Sequence, residues 1–148
     1  MLNYNSTTLF PGNTGERGER GPPCDPPRRV AFSIQGGPGF RSDVIQWEHI
    51  LTNVGDIIIT DNHKLGIPTE GAYLLMWSTT NDAHHQVIWL VVNDKMVGTS
   101  TTTEISSGNH AILQLRKGDT IWLEIMHVKD RLSTTVTFSG YLIWPGIQ

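Results

Sequence analysis

From Val30 onward, short runs of β-branched, aromatic and other apolar residues alternate with clusters of glycine, aspartate, asparagine and serine. The apolar runs occupy residues 30–34, 56–60, 72–79, 87–92, 111–115, 120–128 and 134–144. The breaks between them read GGPG at 36–39 and, further along, TDNHK, STTND, NDK, SSGN and RKGD. No segment has a convincing helical period. Many short strands separated by turn signals predict an all-β fold, either a sandwich or a barrel.

The last two runs carry apolar residues on both faces of the expected strands. A sheet with one solvated face normally shows apolar residues on one side only. The pattern therefore indicates strands covered on both sides within one chain, scattered exposed apolar residues, or a second apolar surface for subunit packing. One set of faces holds Ile121, Leu123 and Ile125 in the first run and Val136, Phe138, Leu142 and Trp144 in the second. The opposite faces hold Trp122, Glu124 and Met126, and Tyr141 and Ile143.

Residues 1–29 differ from the rest and predict a flexible tail in front of a globular domain at 30–148. Within the tail, residues 12–23 form four consecutive triplets that begin with Gly12, Gly15, Gly18 and Gly21. Glycine at every third position is what a collagen triple helix requires, because only hydrogen fits at its axis. Four triplets are too few to be stable alone, so this interpretation needs three chains held together elsewhere. The alternative is a Gly/Pro-rich linker, and the following PPCDPP predicts a stiff, extended hinge.

Cys24 is the only cysteine, so the chain cannot form an internal disulfide. In a trimer, three copies of Cys24 would converge near the axis of the stem, where two can pair. We therefore expect Cys24 to be a candidate for an interchain disulfide in a secreted protein. Asn5, in the sequence Asn-Ser-Thr, is a candidate N-glycosylation site if the chain passes through a secretory pathway.

Charge and motifs exclude several classes of function. A formal net charge of −3 argues against nucleic acid as the main partner, which needs a concentrated basic surface. No apolar run is long enough to span a membrane, and MLNYNSTTLF lacks the pattern of a signal peptide. The six histidines show no metal-ligand spacing, and the sequence has neither a G-x-S-x-G nor a P-loop motif. We expect neither an enzyme nor a metal site.

Six stretches, in order, cover nearly the whole globular part. They read VAFSI at 30–34, LTNVGD at 51–56, KLGIPTEGAYLLMW at 64–77, LVVNDKMV at 90–97, SGNHAILQLRKGDTIWLEI at 107–125 and TFSGYLIWP at 137–145. Together they resemble the C1q-like globular head domain, which complement subcomponent C1q shares with adiponectin-type hormones and cerebellin-type synaptic organisers. The resemblance implies a jelly-roll β-sandwich of the C1q/TNF type that assembles as a homotrimer.

Large aromatic residues in these stretches are expected to dominate the core and the subunit contacts; they are Tyr73, Trp122, Phe138 and Tyr141. Gly118 is expected in a tight turn, and Gly140 at a bulge or a close backbone approach. The sequence also departs from the family pattern. LGIP lacks the common internal cysteine, and the loop GTSTTTEIS, which is acidic in calcium-binding members, contains only Glu104. Calcium needs several oxygen ligands, so neither a calcium site nor another cofactor is predicted.

The resemblance implies a secreted recognition module that binds microbial or altered-self surfaces through several weak contacts. Two alternatives stay open: a hormone-like or synaptic-organiser ligand of one receptor, and a structural trimerisation head of an extracellular, spore or viral surface protein. Ligand contacts are expected on the loops at 36–43, 79–86 and 98–109, since variable function concentrates on loops. The polar candidates there are Asn81, Asp82, His84 and His85.

Overall fold

A computed structural model of the chain describes residues 12–39, 42–80, 86–102, 106–126 and 134–146. They form two antiparallel five-stranded sheets packed face to face, so the predicted all-β sandwich is confirmed. The first sheet has the order β2-β1-β10-β5-β8 and the second β3-β4-β9-β6-β7. The strands are β1 (Ala31–Pro38), β2 (Ile45–Val54), β3 (Ile58–Ile59), β4 (Leu65–Gly66), β5 (Gly71–Thr80), β6 (Gln86–Val92), β7 (Lys95–Thr102), β8 (Ser106–Leu115), β9 (Thr120–Met126) and β10 (Thr135–Pro145).

The predicted strand boundaries are wrong in several places. The expected break at 36–39 lies largely within β1, which continues to Pro38 and leaves little of the expected loop at 36–43. The expected loop at 98–109 is mostly strand, since β7 ends at Thr102 and β8 begins at Ser106. Serine, threonine and glycine suggested a turn here, but these residues pair in ladders with β6 and β5.

Three strands, β2, β4 and β7, were not predicted from the sequence. The longest of them, β2, pairs with β1 through two register shifts, which leave Glu48 and Leu51 as extra residues opposite β1. Such bulges interrupt the two-residue alternation from which a strand is recognised. They also twist an edge strand and make it a poorer template for unwanted pairing.

The core lies between the two sheets. Phe138 of β10 is fully buried and contacts two other aromatic rings: Phe32 edge-on, with centroids 5.1 Å apart, and Trp47 stacked, at 5.8 Å. Burial of each large aliphatic side chain from both sheets contributes roughly 1.5–3 kcal/mol. The fully buried aliphatic members include Ile34, Leu75, Ile88, Leu90, Leu123 and Ile125.

Two tight turns at the same end of the second sheet are joined by hydrogen bonds. Asn93 and Asp94 connect β6 to β7 with φ of 47° and 67°, the positive values of a type I′ hairpin turn. Gly118 precedes β9 with φ of 91°, which confirms its structural role in the turn. Asn93 links the two turns, because its Nδ2 donates to Asp119 Oδ1 and its Oδ1 accepts from the backbone N of Thr120, both at 2.9 Å.

Candidate functional site

The outer face of the first sheet carries a row of apolar side chains that crosses all five strands. Cross-strand pairing places Ala31 opposite both Val54 and Tyr141, Tyr141 opposite Leu74, and Leu74 opposite Ile112. Three of these side chains are open to solvent, with 48% of Val54, 45% of Tyr141 and 61% of Ile112 exposed. We call these five residues the apolar row. A monomer gains nothing from such a continuous exposed surface, and patches of this kind typically mark contact sites.

Trp144 extends this surface. The ladder between β10 and β5 shifts register between Leu142 and Trp144, so that Trp144 lies opposite Ala72 rather than continuing the alternation. The bulge turns Trp144 to the outer face, where 57% of it is exposed. The prediction that Trp144 shares a face with Val136 and Phe138 is therefore wrong, and the extra residue at Ile143 is the reason.

Toward the opposite end of the sheet the same face is mostly polar, and Met76, 41% exposed opposite Ser139, is an apolar exception. Ser33 and Ser139 join through their hydroxyl groups at 2.8 Å, and Gln35 donates to Thr137 Oγ1 at 3.4 Å. His49 lies opposite Gln35 and, with the adjacent Glu48, borders a pocket of about 290 Å³. The outer face thus divides into an apolar half near the chain termini and a hydroxyl-rich half away from them.

The four predicted aromatic residues fall into two groups. Tyr73, Phe138 and Trp122 are at most 4% exposed; Tyr73 and Phe138 belong to the core between the sheets, whereas Trp122 is covered by other side chains of its own chain. Tyr141, in contrast, is part of the apolar row. Phe32 and Leu75 pack directly over Gly140, where an added Cβ would lie 2.7 Å from a carbon of each. Side-chain packing rather than a bulge or a backbone approach explains that glycine.

Tyr73 is buried at the end of the sandwich near the chain termini. Its hydroxyl donates to the carbonyl oxygen of Thr69 at 2.6 Å, which satisfies the one polar group on the ring. Burial raises the pKa of the Tyr73 hydroxyl to about 12, although the hydrogen bond to Thr69 acts in the opposite direction. The group is neutral at physiological pH and serves the fold.

Trp122 lies on the outer face of the second sheet, where its own chain covers it. The Lys64 ammonium lies 4.0 Å from the centre of the indole ring, and the indole Nε1 donates to Glu124 Oε1 at 2.9 Å. This cation–π contact and hydrogen bond leave only 4% of Trp122 exposed. The residue therefore stabilises the sheet and offers no free surface for a ligand.

Several predicted site residues lie outside the described residues. These are the glycosylation candidate Asn5, the loop candidates Asn81, Asp82, His84 and His85, and the acidic residue Glu104 of the calcium loop. Within the described ranges, no three histidine, cysteine, aspartate or glutamate side chains come together as a metal site would require. Across those same ranges, no helix is long and apolar enough to cross a membrane.

The tail glycines meet no steric demand within one chain. Nothing lies within 4 Å of a Cβ built on Gly12, Gly15, Gly18 or Gly21. Steric contacts within one chain therefore do not explain glycine at these positions. Cys24 is exposed and has a free thiol in the single chain.

Sequence reasoning found part of this site. Apolar residues on both faces of 134–144 indicated a second apolar surface as one interpretation, and Tyr141 lies on the exposed outer face. The complete apolar row could not be found in the same way, because it depends on the registers of four strand pairs that are distant in sequence.

Comparison with known proteins agrees with the resemblance. Residues 31–143 match the C1q domain family. Caprin-2 of Danio rerio is 27% identical over 129 residues, which cover 78% of this chain and 14% of that protein. Complement C1q tumor necrosis factor-related protein 3 of Homo sapiens is 28% identical over 132 residues, covering 80% of this chain and 53% of that protein. The chain therefore spans about half of one relative and a small part of the other.

A solved structure gives the same fold. The globular domain of zebrafish complement 1qA protein superposes with a TM-score of 0.66 over 79% of this chain and 99% of that one. The two sequences are 17% identical, so this similarity supports the fold alone. It matches the jelly-roll topology expected from the six sequence stretches.

Proposed function

The chain belongs to the C1q domain family, and from this premise we propose that it is a non-enzymatic, extracellular recognition protein that acts as a homotrimer. The observation that carries the proposal is the apolar row on the outer face of the first sheet. Its side chains are continuous across the five strands, three of the five are exposed, and Trp144 flanks them. A second and a third copy of the chain are the partners that would bury it, and closed cyclic assembly limits the number of copies.

The sequence of the tail also favours an assembly of three chains. Its four glycine triplets have no steric purpose in one chain and fit a short triple-helical stem at 12–23, in front of a head at 30–148. The tail enters the head at Val30, next to the strand that carries Tyr141. Three heads packed through this face would bring three copies of the hinge together. Pairing between two copies of Cys24 would then make the assembly covalent.

A trimer presents every binding surface three times. Sites that bind weakly one at a time gain affinity together when the target is repetitive, by factors of about 10²–10⁴. This is the property needed for recognition of a microbial or altered cell surface. The partners in this proposal are the chain itself and such a surface; its mildly acidic composition does not favour nucleic acid.

A binding array tests the proposal. It displays microbial glycans, lipopolysaccharides, anionic phospholipids and mammalian glycans. The wild type is compared with Tyr141→Glu, which places a charge in the apolar row and is expected to give monomers. A matched control, Ile58→Glu, adds the same charge to a side chain that is 67% exposed outside the row. We expect the wild type and the control to bind several surfaces, and the monomer to lose most of that binding.

Repeating the array with calcium and with a chelator tests whether recognition needs the metal, which the proposal does not include. Binding that is equally strong in the monomer would contradict recognition by avidity. A silent array would instead favour a single protein receptor or a structural role for the head.

A further inference from the structure

A pocket of about 380 Å³ lies at the edge of the sandwich, where the segment before β2 faces the loop between β3 and β4. One wall is formed by Ser42 and Val44 and by Gln46, the second residue of β2. The backbone bridge between Val44 and Glu124 holds this wall against the second sheet. The other wall is formed by residues 61–64. None of the lining residues belongs to the apolar row.

His63 joins the two walls. Its Nδ1 accepts a hydrogen bond from the backbone N of Trp47, and its carbonyl oxygen accepts one from the indole Nε1 of the same residue, both at 3.0 Å. Trp47 is 9% exposed and stacks on Phe138, so His63 is anchored directly to the core. The pocket is therefore formed before any ligand arrives, which lowers the entropic cost of binding.

The loop that carries His63 is also closed on itself. The backbone N of Thr60 donates to the carbonyl oxygen of Lys64 at 2.9 Å, and the backbone N of Lys64 donates to Thr60 Oγ1 at 3.2 Å. A further bond joins His63 N to the Thr60 carbonyl oxygen at 2.9 Å. These bonds fix the backbone from which Asp61 and Asn62 project, although both side chains are exposed.

The lining offers hydrogen-bond donors and acceptors side by side. Asp61 contributes a carboxylate, which only accepts, whereas Asn62 and Gln46 contribute amides, which do both. Because Nδ1 of His63 accepts from Trp47, the proton of the neutral ring is on Nε2, and that nitrogen is a donor. Val44 adds an apolar surface between these polar groups.

The charges in the lining balance. Asp61 contributes one negative charge and Lys64 one positive charge, and the Lys64 ammonium is already placed over the Trp122 ring. An anion or a cation therefore finds no net attraction in the pocket. A hydroxyl group donates and accepts at once, so a neutral ligand with several hydroxyl groups matches the alternating donors and acceptors.

We propose that this pocket, with Gln46, Asp61, Asn62 and His63 as its polar contacts, binds a neutral sugar residue of a surface glycan. The proposal deepens the proposed function and rests on it, since it names the ligand class of the recognition protein. The volume is at the small end of the range of ligand sites, which suits a single sugar ring. A shallow site of this size binds in the millimolar range, and three outward-facing copies raise the avidity for a glycan-covered surface.

An NMR titration of the full chain with single neutral sugars tests the pocket. The probes are D-glucose, D-galactose, D-mannose, L-fucose and N-acetyl-D-glucosamine. We expect at least one of them to shift the side-chain resonances of Asn62 and His63. The double variant Asp61→Ala/Asn62→Ala should weaken that binding at least tenfold, because each hydrogen bond is worth several-fold in affinity.

The control variant Glu70→Ala/Asn13→Ala removes an exposed carboxylate and an exposed amide elsewhere and should leave the sugar affinity unchanged. A second variant, Asp61→Asn, keeps the size of the side chain but replaces a pure acceptor with a mixed donor and acceptor, and should change the preference among the sugars. Thermal unfolding shows whether each variant keeps the fold.

Absence of sugar-induced shifts at Asn62 and His63, or a sugar affinity that the Asp61→Ala/Asn62→Ala variant leaves intact, overturns the proposal. The array experiment and the sugar titration distinguish failure of the proposed function from failure of the pocket. A trimer that binds anionic phospholipids but no sugar keeps the proposed function and contradicts the pocket. A trimer that binds no surface contradicts the proposed function, whereas the single-sugar titration still reports on the pocket.

Discussion

The outer faces of both sheets carry large aromatic residues, which are buried on the second sheet and exposed on the first. On the second sheet, Trp122 is 4% exposed beneath Lys64, and its indole N–H is satisfied by Glu124. On the first sheet, Tyr141 and Trp144 are 45% and 57% exposed. Within one chain, Trp122 is covered, whereas Tyr141 and Trp144 are left open. This contrast supports the proposal that another copy of the chain covers the outer face of the first sheet.

The same contrast runs along the single strand β10, whose two sides can be separated by mutation. Phe138→Ala removes a fully buried ring that packs on Phe32 and Trp47, and should lower the free energy of unfolding by about 3–5 kcal/mol. Tyr141→Ala, on the other side, should lower it by less than about 1 kcal/mol when the protein is diluted to monomers. Urea denaturation measures both; equal losses would show that Tyr141 belongs to the core.

Alkaline titration tests the burial of Tyr73. The pKa of Tyr73 is raised from 10.0 to about 12, so the unfolded chain releases this proton at lower pH than the folded one. The contribution of the neutral Tyr73 hydroxyl to the free energy of unfolding is therefore complete below pH 10 and is lost as the pH rises to about 12. The loss should amount to roughly 2–3 kcal/mol.

The Tyr73→Phe variant is the reference for that measurement. Its free energy of unfolding, measured by urea denaturation across the same pH range, lacks the contribution from this hydroxyl. The difference between the wild type and the variant should therefore fall with pH. A difference that stays constant would mean that Tyr73 is accessible to hydroxide in the folded state.

A third test concerns the inner side of β10 next to Tyr141. Gly140→Ala would place a methyl group 2.7 Å from carbons of Phe32 and Leu75, and the resulting strain should cost about 1–3 kcal/mol. The matched control is Gly66→Ala, whose added methyl group would meet its nearest neighbour at 3.8 Å. Thermal unfolding should distinguish the two, and equal melting temperatures would contradict the close packing at Gly140.

The smallest effect is expected on the covered face. Lys64→Ala removes the cation over Trp122 and should reduce stability by about 0.5–1 kcal/mol. It should also shift the tryptophan fluorescence, because the ring becomes exposed to water. Lys95→Ala, at an exposed position in the β6–β7 hairpin, is the control. If both variants behave alike, Lys64 does not contribute to covering the second sheet.

The elements that could be predicted from sequence are those with uninterrupted alternation. Ile121, Leu123 and Ile125 were predicted to share a face, and they do, on the core side, because β9 has no bulge. β2 was missed and Trp144 was assigned to the wrong face, since bulges at Glu48, Leu51 and Ile143 change the alternation without leaving a clear sign in the sequence. A bulge is a property of the paired strands, so neither strand alone reveals it.

The candidate sites were harder to predict for a related reason. The apolar row combines residues as far apart in sequence as Ala31 and Tyr141, and the pocket joins residues of segments 42–46 and 61–64. Each requires strand pairings that the sequence does not state. The dominant sequence signal, variable polar loops, pointed instead to Asn81, Asp82, His84 and His85, which lie outside the described residues. Their role stays a prediction.

The central claim is that the open face of the first sheet is where subunits meet. Light scattering of the full chain in reducing buffer, at micromolar concentration, tests it most directly when Ile112→Glu is compared with Ile58→Glu, two side chains that are 61% and 67% exposed. The account predicts three times the mass of one chain for the wild type and for Ile58→Glu, and a single chain for Ile112→Glu. A monomeric wild type, or a trimer that survives Ile112→Glu, would contradict it.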